Sequence, residues 1–265
     1  MPVPLFFEEN PSREESVTSP RKTFDYRGRK EGLPPLKLTL PSPLILAIGP
    51  FFDLIKDAAD TTAPLEPNLP PYDPAPLQCH FGAQICALFP AWWSGPRTAI
   101  QIEDLNFFGM NKIIFLGFAG SIHPSIAFST VVVPNEVVRE DGTSYHYAAK
   151  DAPIGPSPAS LALQEKVLEE SGISFKIGPT WCTDAGYRET PSKIRQLSSQ
   201  GVLAVEMEAG ALFAVSAFRD IEAVAFYLIS DELFTLEWHQ YWHEAVERSG
   251  KAFAKAVGNF IQIWE

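Results

Sequence analysis

The sequence is poor in cysteine, in long apolar runs and in positive charge, and each shortage excludes a class of protein. Its 265 residues include Cys79, Cys86 and Cys182, an odd and unevenly spaced set that does not form a disulfide framework and indicates a reducing compartment. No apolar run reaches the roughly 18 residues of a membrane-spanning helix. The amino terminus lacks the basic and apolar segments of a secretory signal. We therefore expect a cytoplasmic protein that does not bind a membrane.

The shortage of positive charge argues against nucleic acid as a ligand. The chain has 21 Lys and Arg against 32 Asp and Glu, a net charge of −11, whereas surfaces that bind nucleic acid need excess basic residues to neutralise phosphates. Neither GxGxxG nor P-loop spacing is present, so a dinucleotide or nucleoside triphosphate is not predicted. His239 and His243 lie at helical spacing, but Gln240 replaces the glutamate of an HExxH motif. We interpret this segment as a packed aromatic helix face and predict neither a metal site nor a cofactor.

What the chain does have is an alternation of apolar strands and helices. Strands are predicted at 43–49, 112–118, 130–133, 174–182, 202–205 and 222–229, with a hairpin over 78–89 that turns near Gly82. Helices are predicted at 96–109, 157–171, 191–199, 208–218 and 238–264. This alternation predicts one α/β domain over 43–265, with a mixed, mostly parallel central sheet flanked by helices. Because proline is excluded from helix interiors and central strands, 1–42 are predicted to be an extended, irregular arm and 61–76 a loop.

The ends of the predicted strands carry the candidate functional residues, because ligands of such sheets bind at the carboxyl ends of the strands. Gly117, Ala119 and Gly120 follow one strand, and small residues there either admit a ligand to the backbone or simply form a turn. Asp231 follows another strand. It is a candidate general acid if it is partly desolvated, or a helix N-cap.

A pair of carboxylates around one methionine, Glu206-Met207-Glu208, follows a third strand at the start of a helix. Carboxylates at this position are favoured by the helix dipole. They also suit a sugar, because a carboxylate grips a diol through two hydrogen bonds while a thioether packs against the apolar face of the ring. The residues alone leave both interpretations open.

Taken together, these motifs resemble the nucleoside phosphorylase and nucleosidase superfamily, which includes purine nucleoside phosphorylases, uridine phosphorylases and methylthioadenosine/adenosylhomocysteine nucleosidases. The similar segments occur in order over roughly 44–265 and are Gly117-Phe-Ala-Gly-Ser-Ile-His-Pro, Val131-Val-Val-Pro, Asp141-Gly-Thr-Ser, Val205-Glu-Met-Glu-Ala-Gly-Ala-Leu-Phe and Ile229-Ser-Asp. The resemblance implies a phosphorylase-like α/β fold, a homo-oligomer (dimer, trimer or hexamer), and cleavage of the N-glycosidic bond of a nucleoside by phosphate or water.

The resemblance also implies roles for individual residues. Glu208 would hold the ribose 2′- and 3′-hydroxyls, Met207 would pack against the sugar, and Glu206 would lie beside the ribose or the base. Asp231 would donate a proton to a purine N7, which lowers the barrier because the base leaves as an anion. Gly117 and Gly120, with Ala119, would line the floor of the pocket.

Departures from the family pattern concern the acceptor. In the loop after Gly49, Asp53 occupies the position of a phosphate-binding Arg, Phe115 that of a second Arg, and Ala119 that of a Thr. A phosphate dianion without such ligands would be poorly compensated, so the acceptor stays open between phosphate and water. Arg97 would replace the missing cation in the first case, and Asp53 would serve as general base in the second.

Further departures concern the base. In the uridine phosphorylases of this family, a Gln and an Arg recognise the pyrimidine carbonyls. The corresponding stretch here, Tyr187-Arg188-Glu189-Thr190, does not keep that pair, which favours a purine-like base. Gly186 replaces the stacking aromatic, so Tyr187 or Trp181 would stack the base. Asp184 would either contact the base near Arg188 or form a structural ion pair with it. A relative that binds a nucleoside without catalysis is the alternative function.

Overall fold

The structure is a computed structural model that describes residues 13, 16–31, 38–65 and 72–264. The other parts of the predicted arm and of the predicted loop over 61–76 lie outside these residues. The strands are β1 Leu44–Ala47, β2 Thr61–Pro64, β3 Leu77–Phe81, β4 Gln84–Pro90, β5 Lys112–Ser121, β6 Val131–Glu140, β7 Phe175–Thr183, β8 Ala204–Glu206, β9 Glu222–Glu232 and β10 His239–Gln240. The helices are α1 Pro20–Glu31, α2 Pro50–Ala58, α3 Gly95–Phe107, α4 Pro158–Ser171, α5 Pro191–Ser199, α6 Ala209–Phe218, α7 Trp242–Ala245 and α8 Lys251–Ile263.

The strands form one mixed sheet in the order β10-β9-β6-β7-β8-β5-β1-β4-β3-β2, and β5 also pairs with β9. This extra pairing closes β5, β9, β6, β7 and β8 into a five-stranded barrel, whereas the sequence predicted only a mixed, mostly parallel sheet. The mixture is confirmed, because β1 pairs with β4 and β5 in parallel while β8 pairs with β5 antiparallel. Closure removes two exposed sheet edges at the part of the fold that carries the predicted site.

The predicted irregular arm is wrong for residues 20–31, which form α1. Pro20 stands at the first position of this helix, where its missing N–H is not needed. Phe24 stacks on Phe107 and meets Phe108 edge-on, with ring centroids 5.9 and 4.8 Å apart. Proline therefore starts the helix here, and packing against the end of α3 holds it in place.

Two further segments differ from prediction. Residues 61–64, expected in a loop, form β2, which pairs antiparallel with β3 at the edge of the sheet. The predicted helix over 238–264 begins with β10 instead, and a π-helical turn over Val246–Gly250 separates α7 from α8. The predicted helix at 157–171 is confirmed as α4, whose N-cap Ser157 accepts a hydrogen bond from the Ser160 N–H.

The core surrounds β1, β5 and β9, whose central residues are fully buried on both faces. Burial on both faces explains why these strands are continuous apolar runs rather than alternating patterns. Within the described residues, no helix is long and apolar enough to cross a membrane.

Candidate functional site

Gly120 of β5 is the point at which the predicted site residues converge. It is paired with Val205 of β8 on one side and with Asp231 of β9 on the other. A register shift between Ala119 and Gly120 marks a bulge in the strand. Since Glu206 follows Val205 directly, the glycine segment, the first carboxylate and Asp231 lie side by side. The structure brings these predicted residues together, and their roles stay predictions.

The two glycines are required by packing rather than by a turn. A Cβ at Gly120 would lie 2.3 Å from Leu233 Cδ1 and 2.9 Å from Asp231 Oδ2. A Cβ at Gly117 would lie 2.9 Å from the Tyr227 ring. Both glycines lie within β5, so the alternative of a simple turn is wrong. Because these glycines have no Cβ, side chains of β9 can lie across the backbone of the neighbouring strand β5.

Glu206 is buried and is held by the backbone. Its Oε2 accepts hydrogen bonds from the N–H groups of Glu208 and Ala209, at 2.7 and 2.6 Å. Burial raises the pKa of Glu206 to about 7, although these two donors oppose the shift. The Glu206 carboxyl therefore caps the amino terminus of α6, which is the structural alternative considered for this motif.

Glu208 is also buried but keeps acceptor capacity. Its Oε1 accepts a 2.7 Å hydrogen bond from the Ser94 N–H in the loop between β4 and α3. Its Oε2 has only a 3.4 Å contact with the Met207 N–H. Burial and, next, repulsion from Glu206 raise the pKa of Glu208 to about 8. Met207 is half-buried beside it. Glu206 has a comparable oxygen, since its Oε1 has only a 3.4 Å contact with the Thr180 hydroxyl, so each glutamate keeps one weakly bonded oxygen.

Asp231 is half-buried and accepts a hydrogen bond on each oxygen. Ser230 Oγ donates to Oδ1 at 2.7 Å, and the Trp238 indole N–H donates to Oδ2 at 3.0 Å. Burial raises the pKa of Asp231, and the two donors oppose this shift. Asp231 is therefore not a helix N-cap, because it lies within β9, and a general acid with a raised pKa remains consistent with its surroundings.

Glu189 is a site residue that the sequence analysis missed. Its pKa is raised to about 7, first by burial and then by repulsion from Asp231. Its Oε1 lies 3.7 Å from the position that a Cβ of Gly186 would take. A loop glutamate with no periodic pattern carries no local signal. Its proximity to Asp231 could be found only from the fold.

A row of stacked aromatic rings runs along the acceptor side of the site. The ring centroids of Phe51 and Phe118 are 4.5 Å apart, those of Phe118 and Trp242 are 4.8 Å apart, and those of Trp242 and Trp93 are 5.3 Å apart. The row joins the start of α2, the floor strand β5, α7 and the loop before α3. This side of the site is therefore largely apolar.

The residues predicted to contact the base are not brought together. Tyr187 is 96% exposed, and Trp181 is buried in a core cluster where its indole N–H donates to Glu140. Asp184 accepts a 2.7 Å hydrogen bond from the Gly142 N–H and forms no ion pair with the exposed Arg188, both of which the structure describes. Trp181, which pairs with Val205 of β8, is therefore a packed core residue rather than an open stacking surface.

The residues predicted for the acceptor are also dispersed. Gly49 has a φ of 53° and open space around its Cα, and it follows β1 beside β5. The exposed Asp53 forms an ion pair with Lys56 at 2.8 Å. The Arg97 guanidinium lies over the Trp92 ring, 5.2 Å from its centroid. In this arrangement neither charged side chain is directed at the glycine floor.

The two histidines considered as metal ligands do not share a helix face, because His239 lies in β10 and His243 in α7. Over the described ranges, no group of three or more His, Cys, Asp or Glu residues is arranged to hold a metal ion.

Comparisons with known proteins agree with this geometry. A family model described as the phosphorylase superfamily matches residues 97–262. The chain is 26% identical to guanosine phosphorylase of Halorubrum lacusprofundi over 52% of this chain and 57% of that protein. It is 30% identical to uridine phosphorylase of Treponema pallidum over 51% and 57%. The chain thus spans a little over half the length of these curated relatives. The solved structure of a uridine phosphorylase from Vibrio fischeri ES114 has the same fold, with a TM-score of 0.72, 19% identity, and coverage of 84% of this chain and 92% of that one.

Proposed function

We propose that this chain, which belongs to the phosphorylase superfamily, cleaves the N-glycosidic bond of a purine-type nucleoside. The observation that carries the proposal is the pairing of Gly120 with both Asp231 and Val205, the residue that directly precedes the Glu206-Met207-Glu208 segment. The named relatives act on guanosine and uridine, so a nucleoside is the substrate class that they share.

The ribose would bind on the side of Glu208. Its Oε2 is available to accept a hydrogen bond from a ribose hydroxyl, and the half-buried Met207 thioether would pack against the apolar face of the sugar. As the glycosidic bond breaks, positive charge develops on the ribose. Because burial raises the pKa of Glu208 to about 8, the developing positive charge would favour loss of the Glu208 proton, and the buried carboxylate so formed would stabilise that charge more strongly than water does.

The base would leave on the side of Asp231. A purine that departs with the electron pair of the glycosidic bond needs a proton, and N7 is the atom that receives it. Asp231 has a raised pKa because it is partly buried, which makes it a better acid near neutral pH than an exposed aspartate. This position of an acid beside the base supports a purine rather than a pyrimidine substrate.

The surroundings of Gly49 favour water over phosphate as the acceptor. The aromatic row begins at Phe51, two residues after Gly49, and Arg97, the cation predicted for the phosphate, lies over the Trp92 ring. A phosphate dianion beside uncompensated carboxylates and apolar rings would lose hydration without gaining ligands.

A product assay tests the proposal. The protein is incubated with adenosine, inosine, guanosine or uridine, with and without phosphate, and the released base is measured by chromatography. We expect base release from a purine nucleoside without phosphate. Release that requires phosphate would keep the nucleoside cleavage and overturn the choice of water. Absence of release from every nucleoside, despite binding, would favour the non-catalytic alternative.

A further inference from the structure

Two serines at the amino termini of helices differ in a single backbone angle. Ser157, the N-cap of α4, has φ −64° and ψ 150°, and its hydroxyl accepts a hydrogen bond from the Ser160 N–H. Ser94, the N-cap of α3, has nearly the same ψ of 152°, but its φ is 83° and its side chain makes no capping hydrogen bond. A positive φ at this ψ is strained for any residue except glycine. Capping by the hydroxyl, the usual reason for serine at this position, therefore does not explain the conformation of Ser94.

The unusual φ of Ser94 sets the direction of its own N–H. The Ser94 carbonyl accepts a 3.0 Å hydrogen bond from the Thr98 N–H at the start of α3, as an ordinary N-cap carbonyl does. Its N–H donates to Oε1 of Glu208 at 2.7 Å. Because φ is the rotation about the N–Cα bond, a negative φ at the same ψ would keep the start of the helix but turn the N–H away from Glu208. The strain is therefore confined to the angle that directs this donor.

The residues around Ser94 hold it in the strained conformation. On its amino-terminal side, the Trp93 ring stacks on Trp242 with centroids 5.3 Å apart, and the Trp92 N–H donates to Oε1 of Gln101 at 3.2 Å. On its carboxyl-terminal side, α3 begins directly. A strained backbone persists only where its surroundings fix it in this way, and such residues cluster at functional sites.

We infer that Ser94 is a positioning residue for Glu208: its strained backbone aims the N–H at Oε1 and leaves Oε2 to the ribose hydroxyls. The other oxygen, Oε2, has only a 3.4 Å contact with the Met207 N–H, so it keeps its capacity for a ligand. In naming ribose, this inference rests on the proposed function. Ser94 acts through Glu208 and does not itself contact the nucleoside.

The ionisation of Glu208 reports the contact with Ser94 directly. A hydrogen bond from an N–H favours the ionised carboxyl, so loss of the Ser94 donor raises the pKa of Glu208. The titratable groups that face Glu208 are Glu206 on β8, Cys182 on β7 and Tyr227 on β9. Burial raises the pKa of both Cys182 and Tyr227, which keeps them neutral, so only Glu206 titrates in the same range as Glu208.

A pair of valine variants tests the inference on the full chain. Ser94→Val places a β-branched side chain where φ is positive, which such residues avoid, and so turns the N–H away from Glu208. Asp220→Val is the matched control, because the exposed Asp220 also has a positive φ, 57°, but lies at the opposite end of β9 from Asp231. The protein is labelled with ¹³C at the glutamate carboxyls, and the Glu208 signal is identified by its loss in Glu208→Gln.

We expect the titration midpoint of Glu208 to rise by at least about half a pH unit in Ser94→Val and to stay as in the wild type in Asp220→Val. An unchanged midpoint in Ser94→Val would overturn the inference. An equal rise in both variants would also overturn it, because the cause would then be backbone strain in general and not the lost donor.

An ester at position 94 provides a second test if Ser94→Val does not fold. Lactic acid incorporated at this position replaces the N–H by an oxygen atom and carries the same side chain as Ser94→Ala, which is its matched control. We expect the raised Glu208 midpoint in the ester and not in Ser94→Ala. Equal midpoints in the two proteins would overturn the inference.

Turnover of a purine ribonucleoside and of its 2′,3′-dideoxy counterpart separates this inference from the proposed function. We expect the ratio of their kcat/KM values to fall about tenfold in Ser94→Val, because only the ribonucleoside has hydroxyls for Glu208 to hold. In Asp220→Val the ratio should stay within about twofold of the wild type.

The two proposals fail in different ways. Cleavage with an unchanged ratio and an unchanged Glu208 midpoint in Ser94→Val would keep the proposed function and overturn the role of Ser94. A raised midpoint without cleavage of any nucleoside would keep Ser94 as the residue that positions Glu208 and overturn the proposed function. A raised midpoint with cleavage at an unchanged ratio would overturn the assignment of Oε2 to the ribose hydroxyls.

Discussion

The carboxylate side and the acceptor side of the site differ in how completely one chain builds them. Around Glu208 and Asp231, side chains are buried and are held by specific hydrogen bonds at 2.7–3.0 Å. Around Gly49 there is open space, and the charged residues Asp53 and Arg97 are engaged elsewhere. The carboxylate side is therefore the preorganised part of the proposed site, whereas the described residues supply no dedicated ligands for an anionic acceptor.

The largest effect is expected at the base end. Asp231→Asn keeps the shape and the hydrogen-bonding contacts with Ser230 and Trp238 but removes the proton donor. We expect kcat for a neutral purine nucleoside to fall by about 100-fold or more, the usual contribution of a general acid. The measurement is kcat from base release.

The matched control at the same end is Ser230→Ala, which removes a donor to Asp231 but keeps the carboxyl. Its kcat should fall by less than about tenfold, which corresponds to roughly 1.4 kcal/mol, since one hydrogen bond is lost while the acid itself is kept. An equal loss in both variants would contradict the role of Asp231 as the acid.

The next effect is expected at the ribose end. Glu208→Gln keeps the contact with the Ser94 N–H but replaces a carboxyl that can ionise as charge develops on the ribose with an amide that cannot. We expect kcat/KM to fall by about 10- to 100-fold, because the interaction strengthens as charge develops on the ribose. A 2′,3′-dideoxynucleoside, which lacks the hydroxyls, should be affected far less by this variant. Equal loss with both substrates would show that Glu208 does not contact the hydroxyls.

A smaller effect on stability follows from the same two glutamates. The folded protein keeps protons on Glu206 and Glu208 up to pH values of about 7 and about 8, whereas an unfolded glutamate loses its proton near 4.5. The unfolded state thus binds fewer protons over this range, so the free energy of unfolding decreases as the pH rises from 5 to 8.

Glu208→Gln should flatten this dependence, and Glu170→Gln should not, because Glu170 is exposed. Between pH 5 and pH 8, the free energy of unfolding of Glu208→Gln should change by about 1 kcal/mol less than that of the wild type, or by a still smaller amount. One pKa unit corresponds to about 1.4 kcal/mol. Urea unfolding at several pH values measures it. A profile of Glu208→Gln identical to the wild type would show that Glu208 is ionised in the folded protein.

The smallest effect on activity is expected on the acceptor side. Arg97→Ala should change kcat/KM by less than about twofold and lower stability by about 0.5–1 kcal/mol, through loss of the contact with Trp92. Activity with and without phosphate, together with thermal unfolding, provides the measurement. If Arg97→Ala abolished a phosphate-dependent reaction, Arg97 would be a phosphate ligand. The acceptor side would then have a dedicated ligand, as the carboxylate side has.

Local signals predicted much of the fold. Ser157 and Gly172 bound α4 as a cap and a left-handed terminator, and Gly82, with a φ of 58°, turns the predicted hairpin. The carboxylates and Asp231 were found because parallel strands bring their carboxyl ends to one edge. Patterns of capping, turn residues and buried runs are encoded by neighbours in the sequence, so a single chain reveals them.

Long-range pairing was not predictable in the same way. Closure of the barrel depends on the contact of β5 with both β8 and β9, and no local pattern specifies which strand pairs with which. The start of α1 was missed because Pro20 was interpreted as excluding a helix rather than as beginning one. Glu189 was not predicted as a neighbour of Asp231, because only the position of its loop in the fold brings the two together.

The partners of Gly120 also determine when the proposed site can form during synthesis of the chain. Its partners Val205 and Asp231 lie far downstream in the sequence, so they reach it only after most of the polypeptide has left the ribosome. A nascent chain that ends before β9 contains the glutamates but has neither the acid nor the closed barrel. Under the proposed function, such a truncated product would therefore lack a complete nucleoside site.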